Sequence, residues 1–115
     1  MAKFEVIRED RVDISILNLN GELDAHTAPD FENAIRLLVQ ENRCKIIVSM
    51  KELEYLSSAG LNVFLKFVDD IRDQEGDIKI TQTSQRVYKI FDWVGYTQLY
   101  EFYDTTDEAL KKFQI

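Results

Sequence analysis

The run Lys45-Ile-Ile-Val-Ser-Met50 is almost unbroken in apolar, β-branched residues, and Leu61, Phe64, Leu65, Val68 and Ile71 recur at helical spacing shortly after it. A strand that is apolar at successive positions shows apolar side chains to both faces of its sheet, so both faces must be covered. The amphipathic helix that follows supplies one cover. Gly76 can end that helix in the left-handed conformation, and Asp77-Ile-Lys-Ile-Thr81 then reads as the next strand.

The remaining segments extend this pattern in both directions. Phe4-Glu-Val-Ile-Arg8 and Val12-Asp-Ile-Ser-Ile-Leu-Asn-Leu19 alternate apolar and polar residues on either side of a charged turn, as an antiparallel hairpin does. Thr27 reads as the cap of a helix with Pro29 in its first turn and Phe31, Ala34, Ile35 and Leu38 on one face, ending near Asn42. Ser84 reads as the cap of a helix carrying Val87, Ile90, Phe91 and Val94, which Gly95 stops. Leu99 to Tyr103 reads as a last strand, and Thr105-Thr-Asp-Glu108 as a capping box for a final helix with Ala109, Leu110 and Phe113 inward. Right-handed crossovers then predict a small α/β domain: a mixed, mostly parallel sheet of about five strands covered by about four helices.

At 115 residues the whole chain, 1–115, is expected to be one domain able to bury a core without disulfides or metals. Cys44, the single cysteine, reads as a small apolar residue entering a buried strand, and His26, the single histidine, sits in a loop. That leaves neither a zinc ligand set nor a Ser-His-Asp array, and no cofactor is expected. No apolar run approaches the roughly 20 residues of a membrane span. Met1-Ala-Lys-Phe-Glu opens without an export signal, so a cytoplasmic setting is expected. The net charge of −7 argues against nucleic acid or an anionic membrane as partner and favours a protein with a basic patch.

Ser57 and Ser58 stand between the strand and its helix, beside unpaired backbone N–H groups and the positive end of the helix dipole. A hydroxyl there can cap the helix or carry a phosphate, and residue type alone leaves both open. With about 100° per residue, Val63 falls some 200° from Leu61, and Phe67 falls at roughly 240°, near the edge of the core stripe. An exposed apolar ridge of Val63 and Phe67 beside Ser58, suited to docking, is therefore expected. Trp93 and Tyr96 read as core or rim packing rather than as a ligand site, since aromatics at helix ends commonly cover sheet edges.

Gly21-Glu-Leu-Asp24, Thr27-Ala-Pro-Asp-Phe-Glu32, Tyr55-Leu-Ser-Ser-Ala-Gly-Leu61 and Ser84-Gln-Arg-Val-Tyr-Lys-Ile-Phe-Asp-Trp-Val-Gly95 occur in one order and spacing. Together they resemble the anti-sigma factor antagonist family, the bacterial single-domain branch of the STAS domains. The resemblance implies a non-enzymatic regulator of transcription that acts by partner switching. Such a protein binds an anti-sigma factor with serine-kinase activity and releases a sigma factor. It also implies that Ser58 is the phosphorylation site that ends binding, and that a metal-dependent serine phosphatase restores it. Ser57 takes the place where many relatives carry aspartate, and Ala59 replaces a second family serine.

By the same resemblance, Asp24 lies near the phosphoacceptor and contacts the kinase or tunes the serine, although an Asx-turn carboxylate bonding backbone N–H groups explains it equally well. Asp24, Thr27 and Ser57 are expected on the partner-facing side from the loops, and Ala59, Gly60, Asn62, Val63 and Phe67 from the helix. The alternative is an interaction module of the same fold in a transporter-associated or multiprotein signalling assembly, with Ser58 unphosphorylated. Nucleophilic catalysis at Ser58 is disfavoured, because no base is spaced to activate it.

Overall fold

The computed structural model describes residues 4–113, so the Met1–Lys3 opening lies outside the described residues. Ten elements follow one another: β1 (Glu5–Arg11), β2 (Ile14–Leu23), α1 (Ala28–Gln40), β3 (Lys45–Leu56), α2 (Ser58–Asp73), β4 (Asp77–Thr81), α3 (Gln85–Trp93), a 3-10 turn (Tyr96–Gln98), β5 (Glu101–Tyr103) and α4 (Thr106–Phe113). The five strands lie in the order β1-β2-β3-β4-β5, with β1 antiparallel to β2 and every later pairing parallel. The expected mixed, mostly parallel sheet with four helices is what forms.

A sheet whose strands advance in one direction through crossovers of one hand carries its crossover helices on one face. Accordingly Phe31 and Ile35 of α1, Phe64 and Ile71 of α2 and Phe91 of α3 share one core with Leu17, Leu19, Ile46, Val48 and Ile80 of the sheet. The opposite face is left to α4, whose Ala109 and Leu110 cover Ile14, Ile16 and Ile47. Strand β3 therefore has both faces covered, as its apolar run requires. Beyond the reach of α4, that second face turns polar, and Asn18, Asn20, Ser49, Lys51 and Gln82 line a shallow depression at the far end of the strands.

Three local expectations are corrected. Strand β3 runs past the apolar Lys45–Met50 run to Leu56 and takes in the charged Lys51-Glu-Leu-Glu-Tyr55 stretch. It does so because Glu22 and Leu23 of β2 stay paired with Tyr55 and Leu56 across register shifts. Helix α2 is not ended by a left-handed Gly76: Glu75 takes that conformation with φ 62°, and the Gly76 N–H closes the turn on Ile71 O at 3.0 Å. Glycine is needed at 76 for a different reason, because a Cβ there would lie 2.1 Å from Cys44 O. The last strand is also shorter, since the Leu99 and Tyr100 N–H groups donate back to Tyr96 O at 3.0 and 2.9 Å and so belong to the 3-10 turn of Tyr96–Gln98.

Helix α2 is rotated from the expected facing. Val63 and Phe67 are buried, at 4% and 8% exposure, while Leu65 is 44% exposed. The cause is that α2 packs against α1 as well as against the sheet. Phe31 of α1 meets Phe64 edge-on at 5.1 Å, and the Arg36 guanidinium sits 5.7 Å above the Phe67 ring. A helix with two neighbours buries a wider arc, and here the arc widens toward α1, away from Leu65. The expected apolar ridge of Val63 and Phe67 is therefore absent.

Candidate functional site

Parallel pairing of β2 with β3 brings the carboxyl ends of both strands to one edge, where Leu23 faces Leu56. The Ser57 N–H donates to Leu23 O at 2.9 Å, which sets the start of α2 beside the loop that opens α1. Crevices outside the carboxyl ends of strands are where α/β sheets gather their functional loops. Gly60 makes the close approach possible, because a Cβ there would stand 2.6 Å from Leu23 Cγ.

The two serines divide their work. Ser57 is extended, with φ −98° and ψ 172°, and its Oγ accepts from the Gly60 N–H at 3.4 Å, so Ser57 is the N-cap. Ser58 is the first helical residue and is exposed, and among the described residues no hydrogen bond engages its hydroxyl. The capping explanation for a serine at this place is thus taken up by Ser57. The Ser58 hydroxyl faces solvent at the positive end of a 16-residue helix, where an anion is favoured. Helical spacing puts Asn62 and Leu65 on the same exposed side.

Asp24 accepts from the His26 N–H at 2.9 Å and the Thr27 N–H at 3.1 Å through one carboxylate oxygen, closing an Asx turn. The Thr27 bond, then the His26 bond, hold its carboxyl below the usual carboxylate range. Thr27 does not cap α1 with its side chain, contrary to expectation. Its backbone is already helical, with φ −99° and ψ −16°, so the hydroxyl points back along the chain. There it donates to Glu22 O and accepts from the Asp24 N–H, both at 2.8 Å. Asp24 and Thr27 together fasten the end of β2 to the start of α1.

Between the first turns of α1 and α2 runs an open groove of about 280 Å³, lined by Ala25, Ala28, Pro29, Glu32, Ala59, Asn62, Val63 and Lys66. Val63 is a buried part of its lining and Gly60 and Phe67 are buried too, so of the α2 residues after Ser58 expected to face a partner, Ala59 and Asn62 are the ones that offer appreciable surface. Glu32 bridges to Lys66 at 3.0 Å and to Arg36 at 2.6 Å, closing one end. The α1 side of this groove was not anticipated, since nothing in the spacing of Ala25, Ala28 and Pro29 shows which helix they will face.

Among the described residues, no group of three or more His, Cys, Asp or Glu side chains is placed to hold a metal ion. No described helix is long and apolar enough to cross a membrane. The Tyr96 ring packs inside, one of the two places expected, but Trp93, expected in the core or at its rim, is 90% exposed. Helix α3 ends at Trp93, and the indole is turned outward from a helix whose inward positions are Val87 and Phe91.

Comparison with known proteins places this arrangement. An anti-sigma F factor antagonist of Paenibacillus polymyxa is 27% identical over 103 residues, covering 89% of this chain and 88% of its own length. The crystal structure of an anti-sigma factor antagonist from Mycobacterium paratuberculosis superposes with a TM-score of 0.90 at 22% identity, over 98% of this chain and 96% of that one. The anti-sigma factor antagonist SpoIIAA in its unphosphorylated form gives 0.81 at 20% identity, over 97% and 96% of the two chains. The model of the STAS domain matches residues 4–109, which takes in every strand, α1 to α3 and the Ser57-Ser58 edge, and the chain belongs to the STAS domain family.

Proposed function

We propose that this chain is an anti-sigma factor antagonist that docks on a serine-kinase anti-sigma factor through the exposed start of α2 and so frees a sigma factor. Phosphorylation of Ser58 by that partner ends binding, and a metal-dependent serine phosphatase reverses it. The observation that carries this reading is the division between the serines: Ser57 caps the helix, and Ser58 stands free and exposed beside it. Relatives known as an anti-sigma F factor antagonist and an anti-sigma-B factor antagonist support an anti-sigma factor as the partner.

The chain acts by binding. Among the described residues no hydrogen bond joins Ser58 to a base, and the two backbone N–H groups on the Asp24 carboxylate lower its pKa and make it a weak one. His26 is an exposed loop residue. A phosphate on Ser58 would add roughly −1.5 to −2 charge where the α2 dipole welcomes it, so the fold persists. An interface that covers the neutral hydroxyl would instead have to desolvate a dianion, and the loss falls on the complex.

Ser58→Asp tests this separation of fold from binding. Its circular dichroism and thermal midpoint should stay near wild type while affinity for the purified serine-kinase anti-sigma factor falls by more than about tenfold. Unfolding of Ser58→Asp, or undiminished binding by protein phosphorylated at Ser58, contradicts the mechanism.

A further inference from the structure

Trp93 is the only tryptophan of the chain, and at 90% exposure it leaves nearly its whole indole in water. A tryptophan side chain ordinarily buries about 150–250 Å², so an outward one at a helix end is an unused contact surface. Val94 beside it is 51% exposed, and Leu65 on α2 is 44% exposed. The turn that presents the indole is tied down at several points. Gly95 takes a left-handed φ of 83°, and the Thr97 hydroxyl donates to Asp92 Oδ1 at 2.8 Å. The hydroxyls of Tyr96 and Tyr100 donate to Leu61 O at 3.2 Å and Phe64 O at 2.8 Å, which clamps this turn alongside α2. Leu61 is three residues from Ser58, and Phe64 adjoins Leu65. The Trp93 turn therefore flanks the exposed side of α2 that carries Ser58 and Leu65.

We propose that the partner's footprint runs from Ser58 across Leu65 to Trp93 and Val94, with the indole seated in an apolar pocket of the serine-kinase anti-sigma factor and that partner's basic side chains facing the acidic residues of α2. This rests on the anti-sigma factor reading and adds its anchor. Tryptophan is among the residues that dominate binding energy when an interface buries them, and one held on a turn tied down in this way loses little freedom on binding. Lys89, one turn before Trp93 on α3, is exposed beside the indole, while the charge along α2 favours a basic partner. Lys66 and Arg72 are engaged by Glu32 and Asp77, whereas Asp69, Asp70 and Asp73 on the same helix are exposed and form no ion pair among the described residues. A second copy would set this acidic side against itself, with −7 on each chain.

Fluorine NMR of protein labelled with 5-fluorotryptophan gives one resonance, from Trp93, and reads the inference directly. Titration with the purified serine-kinase anti-sigma factor of the source cell should shift that resonance. Trp93→Ala should weaken binding by about tenfold or more with unchanged circular dichroism and thermal midpoint, and Trp93→Phe should recover part of the loss. If Trp93→Ala binds like wild type and the resonance is unmoved in a complex that Ser58→Asp abolishes, the footprint is wrong and the switch stands. Failure of unphosphorylated wild type to bind overturns both. A resonance that moves with the chain's own concentration, without partner, makes a second copy the occupant and overturns the proposal.

Discussion

Ser57 adopts an extended backbone and turns its oxygen onto the Gly60 N–H, whereas Ser58 is already helical and its hydroxyl faces outward. The difference follows from geometry, because only a residue with a non-helical backbone can fold its side chain back over the next turn. On the proposed function it also separates stability from signalling at neighbouring positions. Ser57→Ala should lower unfolding free energy by about 1 kcal/mol, the usual worth of a serine N-cap, and Ser58→Ala should change it by less than about 0.5 kcal/mol. Urea unfolding of the two variants checks this. Equal losses would mean that both hydroxyls serve the helix. The sequence could show that two serines stood at a helix start, and helix periodicity could not say which one capped.

At the scale of elements, what was legible in the sequence is what local chemistry decides. The Ser84 cap accepts from the Val87 N–H at 3.1 Å, and Thr105 accepts from the Glu108 N–H at 3.2 Å, both at helix starts the residue types foretold. The face of α2 was not legible, because its apolar residues spread to both flanks of Leu61 and Phe64 and only the approach of α1 decides between them. Phe67 under Arg36 and Val63 against the start of α1 are consequences of tertiary packing. The extension of β3 was hidden for the same reason, since Lys51-Glu-Leu-Glu-Tyr55 pairs only because β2 lies alongside. Val63→Asp should destabilise the fold by more than about 2 kcal/mol, as a buried charge without a partner does. Leu65→Asp should cost about 1 kcal/mol or less, because its side chain already reaches water. The reverse order in thermal unfolding would return α2 to the facing expected from its periodicity.

At the scale of the whole molecule, one topological fact arranges the rest. Strands that advance in a single direction put α1, α2 and α3 on one face and leave the other to α4, so the starts of α1 and α2 meet at the carboxyl edge of β2 and β3. The acidic surface then keeps like-charged partners away from that edge. Where the motifs lie along the chain was readable, and so was the edge on which Asp24 and Ser58 meet. The outward turn of Trp93 was legible too and was missed: it falls about 200° from Phe91 on α3, opposite the face that packs.

The central claim is that Ser58 is the switch and Ser57 its structural neighbour. Incubating the protein with the purified serine-kinase anti-sigma factor and ATP, followed by intact mass measurement and site mapping, tests it most directly. One added phosphate, located on Ser58, absent from Ser58→Ala and retained by Ser57→Ala, is the predicted result. Phosphate placed chiefly on Ser57, or protein left unmodified by a kinase that binds it, would contradict the account.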